Sequence, residues 1–180
     1  FLVLITTLVT PKSNYAQGGS NCAGAAPFCT GTTYQYDNNI NTSSQSGPNY
    51  GCLLTTPNPS WYWMQIGTAG NIDIAISQTT GPNGTGTGID VDFIMWGPFT
   101  SATGGCSNLT GSNDVDCSYS AAATETANIT GAVVGQYYLL LLTNYSNQNG
   151  YVTFAQSGGN GATNCSVVSG CTATVNNAGP

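Results

Sequence analysis

Two pairs of aspartates carry the clearest chemical signal in this sequence. Asp90 and Asp92 lie two residues apart in GIDVDFIMW, and Asp114 and Asp116 repeat that spacing in SNDVDCS. Residues two apart in a β-strand share a face, so each pair would present its carboxylates together. Ca²⁺ takes about six to eight oxygen ligands, which makes these four residues a candidate calcium site. The alternative is that they are solvated acids of turns and strand edges, hydrogen-bonded to the local backbone.

A second candidate site is aromatic. Trp61, Trp63 and Trp96 could form a flat surface on which a sugar ring stacks, while Asn and Thr side chains bind its hydroxyls. Alternation along WYWMQI places Trp61 and Trp63 on the face opposite Tyr62. Large aromatic side chains usually pack in the core, and for each tryptophan taken alone we favour that interpretation. Exposed rings would favour the sugar-binding surface, and buried rings would favour core packing.

The charge composition excludes several classes of function. The 180 residues include one basic residue, Lys12, seven acidic residues and no His, for a net charge of −6. Binding to nucleic acid or to an anionic membrane needs cations that the chain beyond Lys12 lacks. A Ser-His-Asp system needs His, and a P-loop needs Lys. A glycosidase pair of Glu125 with an aspartate would lack the usual supporting Arg and His. We therefore expect a protein that is not an enzyme and whose partner is a neutral polysaccharide or surface glycan.

Seven cysteines indicate an oxidising compartment. None forms a CxxC motif, so disulfides are favoured over a metal or redox site. Short sequence separation predicts two bridges, one of which closes a loop of about 12 residues. These predicted bridges are Cys106–Cys117 and Cys165–Cys171. One further pair is expected, with the choice of partners open, among Cys22, Cys29 and Cys52.

The first sixteen residues resemble the end of a secretory signal peptide. An apolar run, FLVLITTLVT, is broken by Pro11 and Lys12, and cleavage after Ala16 is plausible. The run is too short to span a bilayer, and a buried first strand is the alternative. We expect a secreted or cell-surface protein with no membrane insertion once the signal is removed.

Alternating segments in the body of the chain predict strands. In NIDIAISQ, Ile72, Ile74 and Ile76 should face inward, while QYYLLLLT should be a central strand buried on both faces. The Asn149-Gly150 step predicts a hairpin between that strand and the next. The predicted strands are 32–36, 61–66, 71–78, 88–96, 123–129, 136–143 and 151–156.

These strands predict an all-β protein, an antiparallel β-sandwich of the jelly-roll kind that is stapled by disulfides. The sandwich domain is assigned to residues 17–156, after the signal remnant at 1–16. SGGNGATN, residues 157–164, has the composition of a flexible linker. Residues 157–180 are assigned to this linker and the start of a further module.

The order of the strand motifs resembles a known family. WY at 61–62, GNIDIAIS at 70–77, DVDFIMW at 90–96, GQYYLLLL at 135–142 and GYVTF at 150–154 look like the bacterial pre-peptidase C-terminal domain. That domain is a jelly-roll-like β-sandwich appended to secreted enzymes and surface proteins, and some of its relatives bind Ca²⁺.

The N-terminal part is similar to a narrower group, the modules near the N-terminus of large secreted proteins of Flavobacterium-like bacteria (Bacteroidetes). It shares their Cys-bounded segment, here Cys22 to Cys29 with the Ala one place off, and their Cys-Leu step, here Cys52-Leu53. The resemblance implies type IX secretion and a non-catalytic role in adhesion, attachment or spacing, beside other domains of the same chain. The alternative function is a carbohydrate-binding module that targets a secreted hydrolase to neutral polysaccharide.

Overall fold

The computed structural model describes residues 17–168, whose strands form two facing sheets. The expected signal remnant, residues 1–16, lies outside the described residues. In chain order the strands are β1 (Ala26–Pro27), β2 (Tyr34–Asp37), β3 (Pro59–Thr68), β4 (Gly70–Thr79), β5 (Val91–Phe99), β6 (Asp114–Ser118), β7 (Thr124–Ala132), β8 (Tyr137–Asn144), β9 (Tyr151–Gly158) and β10 (Ala162–Thr163). The helical segments are α1 (Ala102–Gly105) and the 3-10 turns Cys22–Gly24, Gly111–Asn113 and Cys165–Val168. No helix in residues 17–168 is long and apolar enough to span a membrane.

The larger sheet has the order β1-β3-β8-β5-β6, with β10 also pairing with β3, and the smaller sheet has the order β2-β9-β4-β7. All pairings are antiparallel except that of β1 with β3. The predicted all-β antiparallel sandwich is confirmed. Ile72, Ile74 and Ile76 of β4 face the core between the sheets, as their alternation indicates.

Strand β8 lies in the middle of the larger sheet, where its run of four leucines, 139–142, is buried on both sides. Leu140 and Leu142 pack in the core between the sheets. Leu139 and Leu141 pack into a second apolar cluster on the outer face of the same sheet. The larger sheet therefore needs a cover on its outer face.

Irregular segments supply that cover. Cys22, Leu53 and Leu109 come from three different loops, and all three are buried against the outer face. We call them the covering segments: residues 18–25, 49–55 and 101–113. They bury Trp61 and Trp96, which lie on the face of the larger sheet that the smaller sheet does not cover.

Two disulfides fasten the covering segments: Cys22–Cys106 and Cys52–Cys117. The predicted Cys106–Cys117 bridge is therefore wrong. Cys117 pairs in register with Ile94 inside the larger sheet, whereas Cys106 follows α1 in a covering segment, so closeness in sequence does not bring these two sulfurs together. Cys171 lies outside the described residues, and the Cys165–Cys171 bridge stays a prediction.

The predicted hairpin between β8 and β9 is also wrong, because these strands belong to different sheets. β8 is already paired on both edges, with β3 and with β5, so it has no edge left for β9. The chain crosses to the smaller sheet instead, where β9 pairs with β2 and β4. The Asn149-Gly150 step lies in this crossover.

Residues 157–164 are part of the sandwich rather than a linker. β9 runs to Gly158, and β10 pairs with the end of β3. Between them, Gln156 Nε2 donates to the carbonyls of Gly158 at 3.1 Å and Gly161 at 2.9 Å. Gly and Asn residues here form a tight turn that is hydrogen-bonded to the domain. The further module expected later in the chain lies outside the described residues.

Candidate functional site

A small cavity of about 150 Å³ opens at the end of the larger sheet where β5 begins. We call it the acid–tyrosine pocket. Its lining residues are Asp90, Asp92, Tyr119, Ser120, Ala121 and Tyr145.

The alternation of β5 explains how the two acids reach this pocket. Val91 and Phe93 face the core between the sheets, so the residues between and before them point to the other side. Asp92 is only 1% exposed, and its Oδ1 accepts a hydrogen bond from the Ser120 N–H at 3.1 Å. Asp90 Oδ1 is buried without a hydrogen-bond partner among the described residues. Buried carboxylate oxygens therefore line the pocket.

Two tyrosines form the other wall. The Tyr119 and Tyr145 rings meet edge to face, with centroids 5.6 Å apart, and Tyr145 is 44% exposed. The Tyr119 hydroxyl lies 3.4 Å from Thr55 Oγ1, which belongs to a covering segment. A flat, partly exposed ring thus stands beside hydrogen-bond acceptors.

The pocket favours protonated acids. Burial and, after it, the neighbouring Asp90 carboxylate raise the pKa of Asp92 to about 7, with a smaller contribution from Glu125 and an opposing one from the Ser120 N–H. Burial, followed by the Glu125 charge, also raises the pKa of Asp90. Since residues 17–168 contain no Lys, Arg or His, no cation offsets these effects. Near neutral pH the Asp92 carboxyl can therefore donate as well as accept hydrogen bonds.

Asp92→Asn is expected to flatten the dependence of stability on pH. The pKa of Asp92 is about 7 in the folded chain, against an ordinary value of 3.8, so the folded chain binds more protons between these values than the unfolded chain. The free energy of unfolding should then fall as pH rises through that window. Melting temperatures from about pH 4 to pH 8 should fall less in the variant than in the native chain.

The control for this measurement is Asp37→Asn, which removes an exposed carboxyl in β2 of the other sheet. In this variant the melting temperature should fall with pH as steeply as in the native chain. An Asp92→Asn variant whose melting temperature falls with pH as steeply as that of the native chain would show that Asp92 is ionised throughout.

The other two predicted calcium ligands do not join Asp90 and Asp92. Asp116 Oδ2 accepts hydrogen bonds from Asn128 N at 2.7 Å and Nδ2 at 3.1 Å, in the smaller sheet. Asp114 lies beside Trp96, with which it pairs in register.

The four-carboxylate site is therefore wrong as predicted. Asp116 pairs with Met95, three residues along β5 from Asp92 and so about 10 Å away at the usual rise of a strand. Within residues 17–168, no three His, Cys, Asp or Glu side chains form a group that could hold a metal ion. Calcium binding at Asp90 and Asp92 stays a prediction.

The predicted tryptophan platform is wrong for two of its three members. Trp61 and Trp96 are 0% exposed and stack on each other, with ring centroids 5.3 Å apart and planes 9° from parallel. No sugar can reach these two rings. Core packing, the favoured interpretation, is confirmed for Trp61 and Trp96. Trp63 is half-buried and lies 6.1 Å from the Tyr137 ring.

Sequence reasoning missed Tyr119, Ser120 and Tyr145. Tyr119 directly follows β6 and Tyr145 directly follows β8, the two strands that flank β5 in the larger sheet. Because both neighbours run antiparallel to β5, their ends lie beside its beginning. The sequence did not give the order of the strands in the sheet. Residues that follow β6 and β8 can be assigned to one pocket only when these strands are known to flank β5.

Comparison with known proteins gives similarity of structure but none of sequence. No family model matches the chain, and no curated protein matches it. Among solved structures, it is similar to the 1.0 Å crystal structure of the pre-peptidase C-terminal domain of a collagenase from Bacillus anthracis, with 16% sequence identity and a TM-score of 0.45. The match covers 80% of this chain and 100% of that chain. That domain has the name of the family the sequence resembles, and the Bacteroidetes-type origin stays an expectation.

Proposed function

We propose that this domain is a non-catalytic attachment module of a larger secreted or cell-surface protein, and that it holds its target at the acid–tyrosine pocket. The observation that carries the proposal is the buried Asp92 carboxyl beside an Asp90 oxygen that has no hydrogen-bond partner within residues 17–168, in an open cavity. A buried polar atom without a partner is costly, so a target that supplies hydrogen-bond donors would be stabilised there. Tyr145 would add contact area at the rim.

The surrounding structure supports attachment rather than catalysis. The Tyr119 wall is held by Thr55, and the covering segment of Thr55 is tied to β6 by Cys52–Cys117. A rim held in place by a disulfide suits a binding surface outside the cell. The chain beyond Lys12 supplies neither His nor Lys for nucleophilic or acid–base chemistry.

A carbohydrate-binding module is the second candidate, favoured by the chemistry of the pocket walls. Sugar hydroxyls donate hydrogen bonds to carboxylates, and the apolar face of a sugar packs on an aromatic ring. The acid–tyrosine pocket places both kinds of group together, with Tyr145 exposed enough to be reached. The half-buried Trp63 and Tyr137 pair offers a separate aromatic surface elsewhere on the domain.

Retention of the full chain on insoluble polysaccharides, in Ca²⁺ and in EDTA, tests this proposal. Retention on one glycan is expected to fall about two- to tenfold in Tyr145→Ala, because an aromatic contact contributes roughly 0.5–1.5 kcal/mol beyond the area it buries. Asp92→Asn should also weaken retention, since its amide cannot accept on both of its polar atoms. Loss in EDTA would support calcium at Asp90 and Asp92.

Tyr137→Ala is the matched control, because Tyr137 is a half-buried tyrosine at the opposite end of β8. It should retain native binding. Equal loss in Tyr137→Ala and none in Tyr145→Ala would move the site to the Trp63 surface. No retention on any glycan would contradict the carbohydrate candidate, and no binding to whole cells either would reduce the domain to a spacer.

A further inference from the structure

Two distant parts of the chain are joined by a reciprocal pair of hydrogen bonds. The Thr30 N–H donates to Thr163 Oγ1 at 2.8 Å, and the Thr163 N–H donates to Thr30 Oγ1 at 3.0 Å. These threonines are 133 residues apart in sequence. Cys29 directly precedes Thr30, and Cys165 follows Thr163 by two residues. The pairing therefore fixes the backbones that carry the two thiols.

The Thr163 hydroxyl lies between the two sulfurs. It is 3.4 Å from Cys165 Sγ, and it lies close enough to the Cys29 thiol to lower that thiol's pKa. The Cys165 thiol raises the pKa of the Cys29 thiol, as expected of two neighbouring thiols. In addition, the Cys29 N–H donates to the Tyr34 hydroxyl at 2.7 Å, which holds this cysteine against the core. Cys29 and Cys165 thus lie side by side without a bond between them.

We infer that Cys29 and Cys165 are the site of a third disulfide bond. The other four cysteines among the described residues are already bridged, so the chain is adapted to an environment that oxidises thiols. Two neighbouring thiols in such an environment are in position to be joined. The bond would unite the two ends of the described chain.

The oxidant is a small-molecule disulfide, such as oxidised glutathione. Cys165 is exposed, so its thiolate is the one that attacks the external disulfide, which forms a mixed disulfide and releases one thiol. Cys29 Sγ then loses its proton to solvent and attacks Cys165 Sγ, which expels the second thiol. Two protein thiols are oxidised to one disulfide, and the external disulfide is reduced to two thiols. Burial raises the pKa of the Cys29 thiol to about 11, which suits it to the second, intramolecular step rather than the first.

This bond would join two segments at the β3 edge of the larger sheet. It would tie the segment after β10 to the segment after β1, and both β1 and β10 pair with β3. Residues 157–165, whose composition is that of a linker, would become a covalently fixed part of the domain. Cys171 would then be the cysteine left without a partner in the domain, in place of the expected Cys165–Cys171 bridge.

Peptide mapping of the full chain tests this inference. The chain is incubated with oxidised glutathione, alkylated, digested without reduction and examined by mass spectrometry. The expected result is a linked pair of peptides that contain Cys29 and Cys165, with Cys171 alkylated. A Cys165–Cys171 link, or alkylated Cys29 in a chain whose other two bridges are complete, would overturn it.

Variants provide a second, independent readout. Cys171→Ser should keep the Cys29–Cys165 link and the native melting temperature. Cys29→Ser and Cys165→Ser should each lower the melting temperature of the oxidised chain, by roughly 5–15 °C for the loss of a bridge that closes a long loop. The double variant should lose no more than either single variant, because both remove the same bond. Losses that add up in the double variant would mean that no bond joins the two sulfurs.

Discussion

Trp96→Ala should lower the free energy of unfolding by about 3–5 kcal/mol, the usual cost of removing a buried aromatic side chain. Trp96 is 0% exposed and stacks on Trp61. Its indole Nε1–H donates to the carbonyl of Asn49 at 3.1 Å, which fastens a covering segment to the larger sheet. The substitution would leave a cavity under the covering segments and would also remove the partner of a backbone carbonyl.

Urea unfolding followed by circular dichroism measures this loss, and Trp63→Ala is the matched control. Trp63 is a half-buried tryptophan on the same outer face of the larger sheet, so its removal should cost less than half as much. The comparison separates the two interpretations of these tryptophans. A Trp96→Ala chain within about 1 kcal/mol of native stability would show that the covering segments do not depend on this indole.

The strands of this fold are predictable from local sequence because their pattern is physical and local. β4 alternates isoleucine with polar residues, and a half-buried strand has that period. QYYLLLLT is the most apolar run of the sandwich domain, and the strand that contains most of it, β8, is the central one of the larger sheet and is buried on both faces. Alternation along WYWMQI also correctly places Tyr62 and Trp61 on opposite faces of β3, although it does not say which face lies in the core.

The order of the strands is not local, and the errors follow from that. Asn149-Gly150 has the chemistry of a hairpin turn, but whether two consecutive strands pair depends on whether an edge is free, and β8 has none. Cys106 and Cys117 are close in sequence, yet each is bonded to a residue from the N-terminal third of the chain. A covering segment can meet any part of the sheet face, so spacing alone cannot identify its partner.

The candidate site shows the same division. The spacing of Asp90 and Asp92 predicts that they share a face, which the structure bears out by placing both in one pocket. Asp114 and Asp116 have the same spacing but lie further along the sheet, because the register of β6 against β5 decides their position. Tyr119 and Tyr145 had no signal of their own, because their role depends on which strands are neighbours.

Removal of the Cys52–Cys117 bridge should have an effect comparable to the loss of a buried tryptophan. Cys52→Ala combined with Cys117→Ala should lower the free energy of unfolding by about 2–5 kcal/mol, since the bridge constrains a long loop of the unfolded chain. The cysteines are 65 residues apart in sequence. In the folded chain the bridge holds the covering segment that contains Thr55, which contacts the Tyr119 hydroxyl.

The double variant Cys22→Ala with Cys106→Ala is the control, because it removes the other bridge, 84 residues in separation, and leaves the Tyr119 wall tied. Urea unfolding should give a similar loss for both double variants. Only the Cys52–Cys117 variant should also change the dependence of the melting temperature on pH, because a loosened Tyr119 admits water to Asp92 and brings its pKa back toward 3.8. The same pH dependence in both variants would show that the bridge stabilises the fold without shaping the pocket, and the attachment site would then owe its form to β5 and β8 alone.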